Sequence, residues 1–166
     1  KLHYDDMLVK VFTSDKARAR RVVDDYIVSM AIYVAKGADV SIQAGEKNKA
    51  YETKSEFSHA VVMKRVDKMI SNYAKFIKRN AGNEMKTSST LFNLFMLYNH
   101  IMDNNYAIRD EKKFYTWFMS TENARLADTK PIMETKGGEH RTYSSCNNTM
   151  SSPELKARLE YLLKDL

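Results

Sequence analysis

Apolar residues recur every three or four positions along most of the chain, and this spacing predicts amphipathic helices. The first two predicted helices cover residues 14–37 and 55–82, and each begins at a serine and ends at a glycine. A third covers residues 91–102 and is apolar on nearly every side. We therefore expect this third helix to lie at the centre of the fold.

Two further helices are predicted in the second half of the chain. Asp110 can cap the first of them, which carries several aromatic residues. The last helix has two alternative start signals. Ser151 and Glu154 have the spacing of a capping box, or Ser152 is the cap and Pro153 takes the first helical position.

The segments between these helices are polar or short. Residues 37–50 and 128–150 are predicted loops, and the second is long for a compact domain. Residues 1–13 contain a short β-like run that is compatible with a strand. We interpret them as an N-terminal extension or as the remnant of an upstream domain.

Composition supports the same architecture. Five glycines and two prolines are few for 166 residues, which argues against turn-rich sandwiches and barrels. We predict an all-α fold, a bundle of five to six helices around the 91–102 helix, which forms a single domain over residues 14–166.

The net charge of +6 lies entirely in the first 80 residues. That part holds 16 Lys and Arg against 10 Asp and Glu, whereas the remainder holds 11 of each. Part of this charge forms a row on the second predicted helix, opposite its apolar face. The row consists of Lys64, Lys68, Lys75, Lys78 and Arg79. It is either an ordinary solvated face or a surface for phosphate groups.

Evidence for catalysis is weak. None of the four histidines has a second His or Cys at ligand spacing, and no glycine-rich phosphate loop is present, so we predict no metal, no cofactor and no catalytic residue. One alternative is an enzyme whose site in the 128–150 segment brings together His140, Arg141 and Cys146. Because Cys146 is the only cysteine, no internal disulfide can form, which favours a cytoplasmic location. No apolar run is long enough for a bilayer, so we expect no membrane partner.

Four aromatic residues lie close together on the fourth predicted helix: Phe114, Tyr115, Trp117 and Phe118. They could stack on bases, as aromatic side chains do in single-strand binders, but at helical spacing we favour a core role. An apolar surface left open on this helix or on the 91–102 helix would instead indicate a protein–protein interaction module.

The order of these features resembles one known family. Ile108-Arg109-Asp110 precedes the aromatic helix, and Tyr143 is followed by Arg158 in a leucine-rich last helix. This order is similar to the helical second half of ParB/sulfiredoxin-like proteins related to the GmrS part of modification-dependent restriction systems. The resemblance covers residues 14–166 and implies an accessory domain of a larger protein in phage or defence DNA metabolism. The D-G-Q-R type loop of that family is missing from this chain, so no catalytic residue is carried over.

The leading prediction is a non-catalytic helical domain that associates with nucleic acid through the basic helix face. We expect contacts to phosphates that do not depend on sequence, with DNA favoured. The alternative partner is a protein or an upstream domain of the same chain.

Overall fold

A computed structural model describes residues 22–52, 59–81, 87–147 and 149–166. The all-α prediction is confirmed, because these residues form seven α-helices and only one small β-hairpin. The helices are α1 (Val22–Lys36), α2 (Ala44–Ala50), α3 (Ala60–Asn80), α4 (Ser88–Asp103), α5 (Glu111–Ala127), α6 (Tyr143–Asn147) and α7 (Ser152–Leu163). A 3₁₀ turn, Gly37–Asp39, follows α1, and the hairpin consists of β1 (Pro131–Glu134) and β2 (His140–Thr142).

Helix α4 is the centre of the bundle, as its uniformly apolar sequence predicts. All side chains of residues 90–99 are buried, and α4 contacts α1, α3 and α7. Aromatic rings fill the space between these helices. Tyr73 of α3 meets Phe95 edge to face with ring centroids 5.0 Å apart, and Tyr33 of α1 meets Phe92 at 5.8 Å.

Helix α3 packs antiparallel to α4, which follows from two contacts. Near its start, Arg65 donates to Asp103 at the end of α4 at 2.8 Å. Further along, the Tyr73 hydroxyl donates to the carbonyl of Leu91, near the start of α4, at 2.7 Å. The predicted start and end of this helix at residues 55 and 82 lie outside the described residues, as do the expected strand in 1–13 and the start of the first helix.

Two predicted helix boundaries are confirmed. Gly37 has φ +68°, a left-handed conformation that glycine adopts without strain, and α1 ends directly before it. Asp110 caps α5, because its carboxylate accepts from the backbone N–H of Lys113 at 2.9 Å.

The start of α7 differs from both predicted caps. Ser151 occupies the N-cap position, but its side chain makes no capping hydrogen bond. Ser152 is instead tied to the segment after α1, with its N–H donating to Ser41 Oγ at 3.0 Å and its hydroxyl donating to the Ala38 carbonyl at 2.8 Å. Tertiary hydrogen bonds therefore replace the local capping box.

The two predicted loops contain regular structure. Residues 37–50 include α2, and residues 128–150 include the β-hairpin and α6. In the hairpin turn Gly138 adopts φ +80° and its N–H donates to the Thr135 carbonyl at 2.9 Å. The strands span four and three residues, which is too short for an alternating pattern to be recognised in the sequence. Among the described residues, no helix is long and apolar enough to cross a membrane.

Candidate nucleic-acid interface

The basic face of α3 is exposed over its whole length. Helix α3 carries six cationic side chains and one carboxylate, Asp67, so this helix alone contributes +5. Four of the cations share its solvent side and form no ion pair within the described part of the chain: Lys64, Lys68, Lys75 and Lys78. We call these four residues the lysine row. At 1.5 Å per residue, the row extends for about 21 Å.

The two arginines of α3 have a different role. Arg79 binds Glu111 of α5 with two hydrogen bonds, Nε to Oε2 at 2.9 Å and Nη2 to Oε1 at 2.6 Å. The guanidinium of Arg79 is the main reason why the pKa of Glu111 is lowered. Arg65 is paired with Asp103 of α4. Of the five predicted cations, Arg79 also joins α3 to α5 through this ion pair, whereas the four lysines have no such partner in the described residues.

A second polar arrangement lies inside the bundle, and sequence reasoning missed it as a unit. Glu122 of α5 is buried and accepts hydrogen bonds from Asn93 Nδ2 at 3.0 Å and from the Tyr143 hydroxyl at 3.1 and 3.2 Å. Arg125, one turn further along α5, lies 3.5 Å from Glu122 Oε2. We call Asn93, Glu122, Arg125, Tyr143, Asn147 and Arg158 the buried cluster.

Arg158 is the most unusual member of the buried cluster because its side chain is completely buried. Its Nη1 donates to Asn93 Oδ1 at 2.9 Å and to Asn147 Oδ1 at 3.3 Å, and its Nη2 donates to the Thr149 carbonyl at 2.9 Å. These acceptors are all neutral. Burial of the guanidinium lowers the pKa of Arg158.

Glu122 supplies negative charge to the buried cluster. Burial raises the pKa of Glu122, although the hydrogen bonds from Asn93 and Tyr143 oppose that shift. Arg125 balances part of this charge. Its guanidinium lies 5.2 Å from the Trp117 ring centroid and 5.3 Å from that of Phe118, and its Nε donates to Asp165 at 2.9 Å.

The buried cluster connects four helices of the second half of the chain. Asn93 lies on α4, Glu122 and Arg125 on α5, Tyr143 and Asn147 on α6, and Arg158 on α7. Every member is buried, and we interpret the cluster as a clasp that links these helices inside the core. Arg125 also lines a surface depression beside α5. The available sequence signal was Asn93, a polar residue in the middle of an apolar helix. Tyr143 and Arg158, which the family resemblance singled out, both belong to it.

The three candidates in the 128–150 segment do not share one accessible pocket. Cys146 is buried in α6, and burial raises the pKa of its thiol. His140 is exposed on β2. Arg141 lies between two carboxylates, with Nη2 3.0 Å from Glu139 and Nη1 3.7 Å from Glu154. This geometry lacks the contact between a thiol and a base that a nucleophilic cysteine requires.

The aromatic residues of α5 divide into two groups. Tyr115 and Phe118 are buried, as the core interpretation predicts. Phe114 and Trp117 are half-buried, with their ring centroids 5.8 Å apart, and Phe114 also contacts Phe76 of α3 at 6.0 Å between ring centroids. No group of three or more His, Cys, Asp or Glu side chains suited to a metal ion occurs in the ranges that the structure describes.

Comparison with known proteins found no family model, no curated protein and no solved structure that matches the chain.

Proposed function

We propose that this chain is a helical domain that associates with nucleic acid through the lysine row of α3, by phosphate contacts that do not depend on base sequence. The observation that carries the proposal is the contrast within α3. Both arginines are held by carboxylates of neighbouring helices, whereas the four lysines remain exposed and have no carboxylate partner in the described residues.

The chemistry of lysine favours phosphates over base edges. An ammonium group is a compact point charge, whereas the planar fork of arginine is better suited to reading guanine. Each lysine that neutralises a phosphate releases condensed counterions, which makes binding strongly dependent on salt. The row of four lysines would place its charges along one helix axis, and the resemblance to a DNA-associated family is compatible with duplex DNA as the preferred ligand.

The test is a titration of a fluorescently labelled mixed-sequence DNA duplex with the protein at several salt concentrations. Four lysine–phosphate contacts predict a slope of about −3.6 in log K against log salt. Between 50 and 200 mM salt, that slope corresponds to a loss of about 150-fold in affinity. The double reversal Lys68→Glu and Lys75→Glu removes two contacts and should reduce the slope to about −1.8.

Two exposed lysines far from α3 in sequence provide the matched control. Lys136 lies in the hairpin turn and Lys164 follows α7, and neither makes an ion pair in the described part of the molecule. The reversal of both to Glu changes the net charge by the same amount. If both double variants lose affinity equally, general charge explains the binding and the lysine row is not the site. Absence of binding by the wild-type chain at low salt would also refute the proposal.

A protein-binding role has less support on α4, because the side chains of this helix are buried from residue 90 to residue 99. The open side of α5 is a different surface.

A further inference from the structure

Three depressions on the surface meet at Trp117. They have volumes of about 660, 570 and 780 Å³, and the Trp117 side chain lines all of them. The first extends towards Tyr106 and Phe114, the second lies beside Lys112 and Thr116, and the third extends towards the side chains of Asp128 and Tyr161. Together they form one surface depression, which we call the α5 groove.

Most of the α5 groove lies on the side of α5 that faces away from α3. Glu111 and Tyr115 of α5 contact Arg79 and Phe76 of α3 and do not line the groove. Phe114 lies at the boundary, because it lines the first depression and its ring centroid is 6.0 Å from that of Phe76. It extends from the first turn of α5 to the residues just after its last turn. With 17 residues in α5, this length is about 25 Å.

The groove has an excess of unpaired positive charge. Four exposed cations line it and make no ion pair within the described ranges: Arg109, Lys112, Lys113 and Lys130. Each of its three carboxylates has a hydrogen-bond donor: Asp110 accepts from the Lys113 N–H, Asp128 accepts from the Tyr161 hydroxyl at 2.7 Å, and Asp165 accepts from Arg125 at 2.9 Å. Arg125 balances Asp165, whereas Asp110 and Asp128 keep their negative charge, so the charged side chains of the lining sum to +2. This excess is complementary to an anion.

The groove also carries aromatic surface held in place by the fold. Trp117 is flanked by Phe114 and by the buried guanidinium of Arg125, 5.2 Å from its ring centroid, which restrict the orientation of the indole. Tyr106 is 67% exposed at the first depression, so its ring is open to a ligand. Its backbone is fixed by the end of α4, where Asn105 adopts φ +58° and the N–H of Tyr106 donates to the Ile101 carbonyl at 3.0 Å.

We propose that the α5 groove binds single-stranded nucleic acid, with a base against Trp117 and the phosphates beside the cations of the groove. Sites for single strands combine a positively charged groove with aromatic rings on which unpaired bases stack. In a duplex the bases are already stacked on each other and do not reach such a ring. The proposal names a ligand and a surface different from those of the lysine row, so either proposal can fail without the other.

Trp117 provides the direct readout, because it is the only tryptophan in the chain. An oligothymidylate of about 12 nucleotides, within the range of known site sizes, should quench its fluorescence at low salt. A DNA duplex should bind without this quenching. The double variant Lys68→Glu and Lys75→Glu should lose duplex affinity and keep the same quenching amplitude at saturation with the single strand.

Variants of the groove test the two contributions separately by the anisotropy of a labelled oligothymidylate. Trp117→Leu keeps an apolar side chain against Phe114 but removes the stacking surface, and should weaken binding by about 5- to 150-fold. Trp117→Phe keeps an aromatic face and should restore most of the affinity. The exposed reversals Arg109→Glu and Lys113→Glu should each also weaken binding, whereas the single reversal Lys136→Glu should not.

Circular dichroism and thermal unfolding of each variant show whether a loss of affinity comes from misfolding. The Arg109 and Lys113 reversals change exposed side chains, so they test the groove without altering the core.

Three outcomes would overturn the proposal. The oligothymidylate leaves Trp117 fluorescence unchanged, polyglutamate quenches it as strongly as the oligonucleotide does, or Trp117→Leu binds as tightly as Trp117→Phe. The second outcome would indicate an acidic peptide as the partner.

Discussion

Replacement of Glu122 by leucine tests whether the buried cluster holds the helices together. The Glu122 carboxylate accepts from three donors at 3.0 to 3.5 Å: the Tyr143 hydroxyl, Asn93 Nδ2 and the Arg125 guanidinium. The substitution removes this acceptor. A buried donor left without an acceptor costs about 1–3 kcal/mol. The apolar leucine side chain offsets about 2 kcal/mol of this by its own burial.

The expected net effect is a decrease of about 3–5 kcal/mol in the free energy of unfolding, the range found when one partner of a buried ion pair is removed. Glu122→Gln keeps the size of the side chain and one carbonyl acceptor, and should cost about 1–2 kcal/mol. The difference between the two variants measures the acceptor role of Glu122 apart from its charge.

Urea unfolding followed by circular dichroism measures these differences. With an m-value of about 2 kcal/mol/M, Glu122→Leu should lower the midpoint by about 2 M with an unchanged m-value. Glu160→Leu on the exposed side of α7 is the matched control and should change stability by less than about 0.5 kcal/mol. A loss below about 1 kcal/mol for Glu122→Leu, or equal losses for the leucine and glutamine variants, would refute a clasp role for the carboxylate.

Glu122, the cap of α5 and Cys146 each allow a further measurement. Burial raises the pKa of Glu122, so the folded state binds the Glu122 proton more tightly than the unfolded chain does. The free energy of unfolding should therefore fall as the pH rises from 4.5 through the raised pKa. A free energy of unfolding that does not change with pH in wild type, or the same slope in Glu122→Gln, would contradict this. Asp110→Ala removes the acceptor of the Lys113 N–H and should lower stability by about 1 kcal/mol in urea unfolding, with Asp110→Asn as the variant that keeps a cap. The buried Cys146 thiol, whose pKa is raised, should react with iodoacetamide about 100-fold more slowly in the native protein than in urea, and equal rates would show that the α6 segment is open.

The lysine row and the α5 groove divide the proposed functions between two surfaces. The lysine row depends on ammonium groups that have no carboxylate partner in the described residues. The α5 groove depends on the Trp117 ring, which the buried cluster orients through Arg125. A variant of the clasp such as Glu122→Leu could therefore change Trp117 as well as stability, which is why the Arg109 and Lys113 reversals at the exposed rim accompany the Trp117 variants.

Local sequence patterns determined the helical class and several helix ends. The apolar residues of α4 required burial on every side, and α4 is the central helix. On α3 the three- and four-residue spacing of apolar residues separated a buried face from the lysine row. Asp110 caps α5, as its position in the sequence predicts. Each of these inferences depends only on residues within about one or two helical turns of each other, which the periodicity of the helix brings together.

Only the tertiary structure decided which polar residues meet. Arg79 is paired with Glu111, which lies 32 positions later in the chain, and Asn93 contacts Asn147, which lies 54 positions later. Ser152 bonds to Ala38 and Ser41 instead of completing a local cap. Such contacts depend on the path that the chain takes between helices. Neither the spacing of apolar residues nor the charge pattern within one segment determines that path. This is why the α3 face and the aromatic residues of α5 could be recognised in the sequence, whereas the clasp and the assembly of the α5 groove from separate segments could not.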